Sequence, residues 1–270
     1  MDRQQRADAV DREMAVRLLP DEAVGALVLW WSQSAERYAD ATPGAHAIDY
    51  TPSRWAQVTP WPASLAPTST SGDVQVSRAD VALIVADALK REAFTEALVA
   101  TYVWGKGKRG TRGGSGPATL QNILAPVGQD AVLGKAVTAL GEHGSQHAYA
   151  ALHRRIAGLG PSFFTKFLYF AGKALRPAHG PGPLILDHVL SQRLRSLATV
   201  VGRETGYDPD GEVAAWVWAD WDWSPHRYEV YLSFMQAASR QMAATSGWPS
   251  DAEPDLLECA MFNTDWKLTR

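Results

Sequence analysis

One lysine stands inside an otherwise apolar stretch, FFTKFLYF, at residues 163–170. Four phenylalanines flank Lys166 there, namely Phe163, Phe164, Phe167 and Phe170. An amine that is kept neutral by burial among apolar groups is a nucleophile, able to attack an electrophilic carbon and form a Schiff base. The alternative is a core helix whose lysine buries its stem and extends its amine to solvent. The sequence leaves both interpretations open.

A second candidate for chemistry is a carboxylate, Asp187, which follows the extended step PLIL and precedes the helix HVLSQRL. A carboxylate in a binding site can stabilise positive charge that develops on a substrate. It can also act only as the N-cap of the helix, accepting hydrogen bonds from the first N–H groups. Capping and catalysis are compatible, and capping alone stays an alternative.

The segment LHRRIAGLGPSFFTKFL, residues 152–168, predicts a helix, a tight turn and a second helix. Leu152 and Ile156 are four residues apart, so we expect them on one face of the first helix. Gly158 and Gly160 permit positive φ and allow the backbone to approach another chain closely. The lysine at 166 therefore belongs to a helix that begins at a glycine turn.

This turn is predicted to bind an anion. Pro161 sits where the second helix begins, and its missing N–H loses no helical bond there. N–H groups beside a helix N-terminus form a site suited to a phosphate. Arg154 and Arg155 lie just upstream and add positive charge.

The charges of the chain are segregated. Residues 101–200 hold 12 Lys and Arg but 3 Asp and Glu, a balance of +9. The other 170 residues hold 14 and 26, a balance of −12, and together these give the net charge of −3. A basic middle between acidic ends favours one phosphate-facing surface. Chance segregation of solvated charges is the alternative.

A glycine-rich loop, GKGKRGTRGGSGP at residues 105–117, lies within this basic region. Its cations are Lys106, Lys108, Arg109 and Arg112. We expect such a loop to follow a DNA backbone closely, and Trp104 at its edge to stack on a base or fill the gap left by a flipped one. A solvated loop without a ligand is the alternative.

The pentapeptide IAGLG before a helix resembles the helix-hairpin-helix signature, apolar-x-Gly-apolar-Gly, in which the hairpin grips a DNA phosphate. PLILDHVLSQRL, residues 183–194, resembles the segment of helix-hairpin-helix DNA glycosylases that delivers a catalytic aspartate, and Asp187 matches that placement. The resemblance covers roughly residues 80–200 and is closest to the 8-oxoguanine DNA glycosylase branch. It implies a mainly α, helix-hairpin-helix glycosylase-like fold with two closely packed helical subdomains.

In the bifunctional members of this branch, the aspartate is paired with a lysine of the hairpin's second helix, two residues after the second glycine. This chain has Ser162 at that position. Lys166 lies one helical turn later, on the same face as Ser162. Its stem is long enough to reach back towards the same place. The resemblance thus implies catalytic roles for Lys166 and Asp187.

The remaining composition sets limits on the class of protein. The 270 residues are 46% hydrophobic, without an 18-residue apolar stretch that would span a membrane. The single cysteine, Cys259, excludes a disulfide framework and a multi-thiolate zinc site. We expect a cytoplasmic protein without a secretion signal, and neither a metal nor another cofactor.

Helical patterns dominate the sequence. We predict three segments: a helical segment with a long surface connection (1–76), a glycosylase-like core (77–200), and a C-terminal helical segment that packs on that core (201–270). Ser77 is the expected N-cap of a helix. EVAAWVWADWDWS, residues 212–224, fits either a strand or a helix.

These features predict a DNA glycosylase that flips a modified base, 8-oxoguanine or another, out of duplex DNA and excises it, with or without lyase activity. The alternative is a non-catalytic DNA-binding protein of the same fold, which needs neither Lys166 nor Asp187. The predicted DNA-binding residues are Lys106, Lys108, Arg109, Arg112, Arg154, Gly158, Gly160 and Ser162, with Trp104 and Phe163 at the base. Nothing in the sequence names a protein partner.

Overall fold

The computed structural model describes residues 1–38, 46–108 and 116–264. The predicted mainly α fold is confirmed. In chain order, the first helices are α1 (Arg3–Arg17), α2 (Asp21–Tyr38), α3 (Arg78–Lys90), α4 (Phe94–Lys106), α5 (Gly116–Leu124) and α6 (Gln129–His143). They are followed by α7 (Ser145–Leu152), α8 (Pro161–Leu175), α9 (His188–Thr205), α10 (Glu212–Val217), α11 (Pro225–Ala243) and α12 (Pro254–Asn263).

The chain forms two compact units. The central unit is Glu36–Pro183, and the terminal unit joins Met1–Ala35 to Leu184–Arg270. These boundaries differ from the segments 1–76, 77–200 and 201–270, and the predicted division into those segments stays a prediction. The sequence pattern alone does not reveal that the first helix packs with the last ones, because that contact joins residues far apart in the chain.

Helix α4 lies at the centre of the central unit. Its residues 97–104 are all buried, because its sequence is apolar on every side rather than along one stripe. It packs against α3, α6 and α8. The helix that carries Lys166 is therefore held against a helix whose middle is buried on every side.

Two short strands, β1 (Ile48–Tyr50) and β2 (Val74–Val76), pair antiparallel, with Tyr50 opposite Val74. The segment between them matches the predicted long connection, but part of it is buried. A 3₁₀ turn at Pro52–Trp55 places the Trp55 ring 6.3 Å from the Tyr102 ring of α4, in an edge-on contact. Burial of this indole ties the connection to the core.

The terminal unit is built on α9, which packs against α1, α10 and α12. A buried ion pair joins α11 to α1, since Nη1 of Arg227 lies 2.7 Å from Oδ1 of Asp11. The two side chains are 5% and 12% exposed, so this pair is shielded from water. It fixes the N-terminal helix to the C-terminal ones.

Several local predictions agree with the structure. Ser77 caps α3 in a capping box with Asp80, and Pro161 occupies the first turn of α8. Residues 212–217, which fitted strand or helix, form the helix α10. One prediction is wrong: α7 ends at Leu152, so Ile156 lies in the turn and shares no helix face with Leu152. Both residues are nevertheless buried.

No single helix among the described residues is long and apolar enough to cross a membrane. The pair α5 and α6 passes this test together by length and composition, but it is bent by 88°. The cytoplasmic location stays a prediction.

Candidate active site

The hairpin turn between α7 and α8 exposes its glycines. Gly158 has φ +80°, a left-handed conformation that favours glycine, whereas Gly160 has φ −81° and lies in the extended region. Of the two glycines that permit positive φ, Gly158 therefore adopts it and Gly160 does not. A Cβ added to Gly160 would meet no protein atom within 4 Å, so the space beside this residue is open.

The turn also presents N–H groups. Gly160 is the N-cap of α8 and supplies no side-chain cap. The N–H groups of Gly158, Gly160 and Ser162 donate to no backbone carbonyl within the described parts of the chain. Ile156 and Leu159, by contrast, are buried and anchor the turn from below. The turn thus carries N–H donors on a surface that its apolar residues hold in place.

Positive charge lies on the same turn. Arg154 and Arg155 are both exposed, and Arg154 adopts a positive φ of 58°. A left-handed conformation is uncommon for a residue other than glycine. The hairpin therefore combines exposed cations with exposed backbone donors, as the anion-site prediction requires.

Lys166 reaches back along α8. Its Nζ donates a hydrogen bond to the carbonyl oxygen of Ser162 at 2.8 Å and lies 5.6 Å from the centre of the Phe163 ring. The structure thus places the amine beside Ser162, one turn before the Cα that carries it. All three residues are half-buried, and they share one face of α8.

The phenylalanines around Lys166 divide into two groups. Phe164, Phe167 and Phe170 are completely buried and pack in the core of the central unit. Phe163 is half-buried and stacks on Tyr102, with ring centres 4.2 Å apart and planes at 19°. Burial raises the pKa of Tyr102 to about 12. Near the amine, the apolar contact comes from Phe163 rather than from a cage of four rings.

Trp104 lies in a different environment from the one predicted. It is 9% exposed, its indole N–H donates to the carbonyl oxygen of His46, and its ring packs edge-on against Phe170. The Arg78 guanidinium lies 5.3 Å from its ring centre. These contacts give Trp104 a packing role in the central unit, because stacking on a base needs an exposed ring face.

Two cations of the basic loop are described, whereas Arg109 and Arg112 lie outside the described residues. Lys106 is half-buried, and burial lowers its pKa below the ordinary value for lysine. Lys108 is exposed and forms an ion pair with Asp73. Because that bond holds the carboxylate charged, it lowers the pKa of Asp73.

Asp187 belongs to the terminal unit and caps α9. Its Oδ1 accepts hydrogen bonds from the N–H groups of Val189 at 3.0 Å and Leu190 at 3.1 Å. The predicted capping role is therefore present, and the side chain is half-buried. The carboxylate is fixed by the backbone of the helix that it begins.

The step before Asp187 is held by side chains that the sequence analysis did not identify. The hydroxyls of Tyr228 and Tyr231 donate to the carbonyl oxygens of Leu184 and Ile185, at 2.8 and 2.6 Å. Oε2 of Glu258 accepts from the N–H of Ile185 at 2.9 Å. These three supporting side chains are buried. The only signals in the sequence are tyrosines three apart on α11 and a lone glutamate within apolar α12.

Charged side chains surround the start of α9. Nδ1 of His188 lies 3.5 Å from Oδ1 of Asp220, and the same oxygen accepts from Nη2 of Arg195 at 2.8 Å. The aspartate is thereby balanced by a cation of α9. In the loop after α10, the negative charge of Asp220 is therefore offset by Arg195.

The central unit thus brings together the hairpin glycines, Ser162, Phe163 and Lys166. The terminal unit holds Asp187 and its supports. That Lys166 and Asp187 act in one site stays a prediction.

A comparison with protein families adds an independent finding. The family described as "OGG: Putative 8-oxoguanine DNA glycosylase OGG-like protein" matches residues 41–262. This range includes the hairpin, Lys166 and Asp187, and covers most of the chain. No curated protein and no solved structure matches the chain.

Proposed function

The chain belongs to the OGG-like DNA glycosylase family, and from this premise we propose that it flips a modified base out of duplex DNA and cleaves the bond between that base and its sugar. The observation that carries the proposal is the position of the Lys166 amine, 2.8 Å from the Ser162 carbonyl oxygen at the start of the hairpin's second helix. The resemblance expects a lysine at position 162, and Lys166 delivers an amine beside that position.

The hairpin is proposed to grip a DNA phosphate. Its N–H groups at Gly158, Gly160 and Ser162 are directed at the anion, as at other helix N-termini that bind phosphate. The open space beside Gly160 allows a DNA backbone to approach closely. Arg154, which is exposed beside the turn, contributes positive charge. Lys106 and Lys108 would contact the backbone farther along.

Base excision needs stabilisation of the sugar as the glycosidic bond breaks. In the proposed reaction, the carboxylate of Asp187 stabilises the positive charge that develops on the sugar. The departing base leaves with the bonding electron pair and takes up a proton. This step requires Asp187 to be charged and fixed, and its two helix N–H contacts hold it in one orientation.

A lyase step is proposed for Lys166. Its neutral nitrogen forms a bond to the sugar carbon from which the base departs. The bond between that carbon and the ring oxygen then breaks, and a proton from the nitrogen passes to the ring oxygen. The product is a Schiff base between enzyme and DNA. The strand is cut in a following elimination, in which the carbon next to the Schiff base loses a proton and the 3′ phosphate leaves. Without the amine, water would add to the sugar instead, and the base would be released without strand cleavage.

Phe163 is proposed to contact the flipped base. Its ring is half-buried and backed by Tyr102, so it is a preorganised flat surface. Stacking of a base on an aromatic side chain is worth about 1–3 kcal/mol and tolerates different bases. Such a surface accepts 8-oxoguanine and equally another modified base.

A second candidate function is non-catalytic DNA binding. It is favoured by the structural bonds of both proposed catalytic side chains, since Asp187 caps α9 and Lys166 bonds to Ser162. On that hypothesis the hairpin binds DNA and neither side chain reacts. Release of base from DNA distinguishes the two functions.

The test uses duplexes that each contain one modified base, with released base and strand cleavage measured separately. Borohydride, which reduces a Schiff base to a stable amine, should trap the wild-type protein on its substrate. Lys166→Gln should abolish the trap and remain folded, because glutamine keeps much of the stem. Lys135→Gln, which removes an exposed lysine of α6, is the matched control.

Base release without a trap would assign a monofunctional glycosylase and leave Lys166 a packing role. No release from any duplex, together with tight binding, would support the non-catalytic alternative.

A further inference from the structure

We propose that Gly105, near the C-terminal end of α4, is the positioning residue that holds the Lys166 amine beside Ser162. The inference rests on the proposed function for its catalytic meaning, but the placement of the amine can be tested by itself. Gly105 does not touch DNA in this proposal. It acts by leaving room for the lysine stem.

The space for the lysine stem exists only because residue 105 has no side chain. A Cβ built on Gly105 would lie 2.6 Å from Cδ and 3.1 Å from Cε of Lys166. Carbon atoms in favourable contact are about 3.5–4.0 Å apart. The stem of Lys166 therefore runs across the bare backbone of α4, and alanine at 105 would displace it.

The same contact fixes the direction of the amine. Phe163 also lies next to the lysine stem. Its Cε1 is 3.5 Å from the Cβ position built on Gly105, and its ring centre is 5.6 Å from Nζ of Lys166. A lysine stem has many rotamers, and an unconfined one samples them. Lying between Gly105 and Phe163, the stem is restricted to conformations that bring Nζ back to Ser162.

The glycine is not required by the helix itself. Its φ is not in the left-handed region, and alanine is a better helix former than glycine. If the only role of residue 105 were to build α4, Gly105→Ala would be neutral or stabilising. A loss of amine placement in a protein of unchanged or higher stability is therefore the signature of positioning.

Another glycine of the central unit provides a matched control. Gly141 lies within α6, and a Cβ added there would meet nothing within 4 Å. Gly141→Ala introduces the same methyl group into a helix of the same unit without touching a lysine. It should leave the folding stability unchanged or slightly raised, and it should not change the labelling or trapping of Lys166.

The first experiment measures the reactivity of the Lys166 amine in the free protein. An amine-reactive ester labels lysines, and peptide mass spectrometry gives the labelling rate at Lys166 over a range of pH. In Gly105→Ala the amine loses its bond to Ser162, so it should label about fivefold faster, as expected for the loss of one ordinary hydrogen bond. The wild type and Gly141→Ala should give the same profile.

The second experiment measures borohydride trapping on a substrate duplex. A reacting group displaced by about 1 Å loses on the order of 100-fold in rate, so Gly105→Ala should lose most of its trapping while DNA affinity stays unchanged. The double variant Ser162→Lys, Lys166→Gln moves the amine from position 166 to position 162. Adding Gly105→Ala to this double variant should have no effect on trapping. The relocated amine does not cross residue 105.

The outcomes separate this inference from the proposed function. Equal labelling of Lys166 in Gly105→Ala and wild type would overturn the positioning role, whatever the trapping result. Loss of trapping in both the original and the relocated protein on adding Gly105→Ala would overturn it as well. Faster labelling together with a wild type that never traps would uphold the positioning of the amine and refute the Schiff-base step.

Discussion

The two side chains proposed for catalysis are held by opposite kinds of structure. Asp187 is fixed by helix N–H groups, and the step before it is bound by buried tyrosines and a glutamate. Lys166 is guided by the space at Gly105 and by its hydrogen bond to the carbonyl oxygen of Ser162. The carboxylate is held by backbone N–H groups of its own helix, whereas the path of the amine is restricted by the space that Gly105 leaves.

This difference fits the chemistry proposed for each group. Stabilisation of developing charge is strongest when the charged group is oriented before the reaction, because no reorganisation is then needed. A nucleophile must instead leave its resting contact and form a bond. We infer that the support around Asp187 provides preorganisation and that the contact at Lys166 provides a defined starting position.

The largest expected effect comes from removing only the charge of Asp187. Asparagine is also a good N-cap, so Asp187→Asn should keep the bonds to Val189 and Leu190. Base release should fall about 100- to 1000-fold, or roughly 3–4 kcal/mol in the barrier, with DNA affinity retained. Single-turnover release and fluorescence anisotropy measure the two quantities.

Asp2→Asn is the matched control for this variant. Asp2 caps α1 in the same unit, its side chain accepting from the N–H of Gln5 at 2.8 Å, and it is exposed. It should have no effect on base release. Full activity of Asp187→Asn on a substrate of the wild type would reduce Asp187 to a helix cap and remove one side of the comparison.

A smaller effect is expected from the support behind Asp187. Tyr231→Phe removes the hydroxyl that donates to the buried carbonyl of Ile185. Leaving a buried acceptor without this partner costs about 1–3 kcal/mol of folding stability. The urea midpoint should fall, and base release should fall with it, by less than in Asp187→Asn.

Tyr102→Phe is the control, because Tyr102 is also buried but its ring makes the contact with Phe163. This variant should keep stability close to that of the wild type. If Tyr231→Phe behaved in the same way, the step before Asp187 would not depend on that hydroxyl, and the contrast with Lys166 would weaken.

The parts of this arrangement that could be predicted from sequence depend on neighbours in the chain. Pro161 at the start of α8 and Asp187 at the start of α9 follow from the backbone preferences and capping ability of those residues. The backward reach of Lys166 follows from helical spacing, since Ser162 lies one turn earlier. Local chemistry fixed these features, and the structure agrees with them.

The features that were missed depend on contacts between distant residues. The burial of Trp104 depends on His46 and Phe170, and the role of Gly105 depends on a lysine 61 positions later. The tyrosines behind Asp187 lie on α11, more than 40 residues away from it. The apolar periodicity of a helix, or a glycine within it, does not predict which distant residue will pack against that position after folding.

The smallest expected effect sharpens the amine side of the comparison. Lys106, like Lys166, has its stem against a glycine, since a Cβ on Gly116 would lie 2.7 Å from its Cγ. Burial lowers the pKa of Lys106 below the ordinary value of 10.5. Between the lowered pKa of the folded protein and 10.5, the unfolded chain binds more protons than the folded one. Folding stability therefore rises with pH in that interval.

DNA affinity should change in the opposite direction over the same interval, because a neutral amine no longer attracts phosphate. Wild-type affinity is expected to fall as pH rises towards 10.5, and Lys106→Arg should shift that fall to higher pH because its guanidinium stays charged. The change should be several-fold, as an exposed ion pair is worth about 0.2–1 kcal/mol. Lys135→Arg controls for exchanging an amine for a guanidinium at an exposed site of the same unit. Identical pH profiles for wild type and Lys106→Arg would show that Lys106 makes no phosphate contact. Of the two lysines whose stems lie against a glycine, Lys166 would then be the one that acts on DNA.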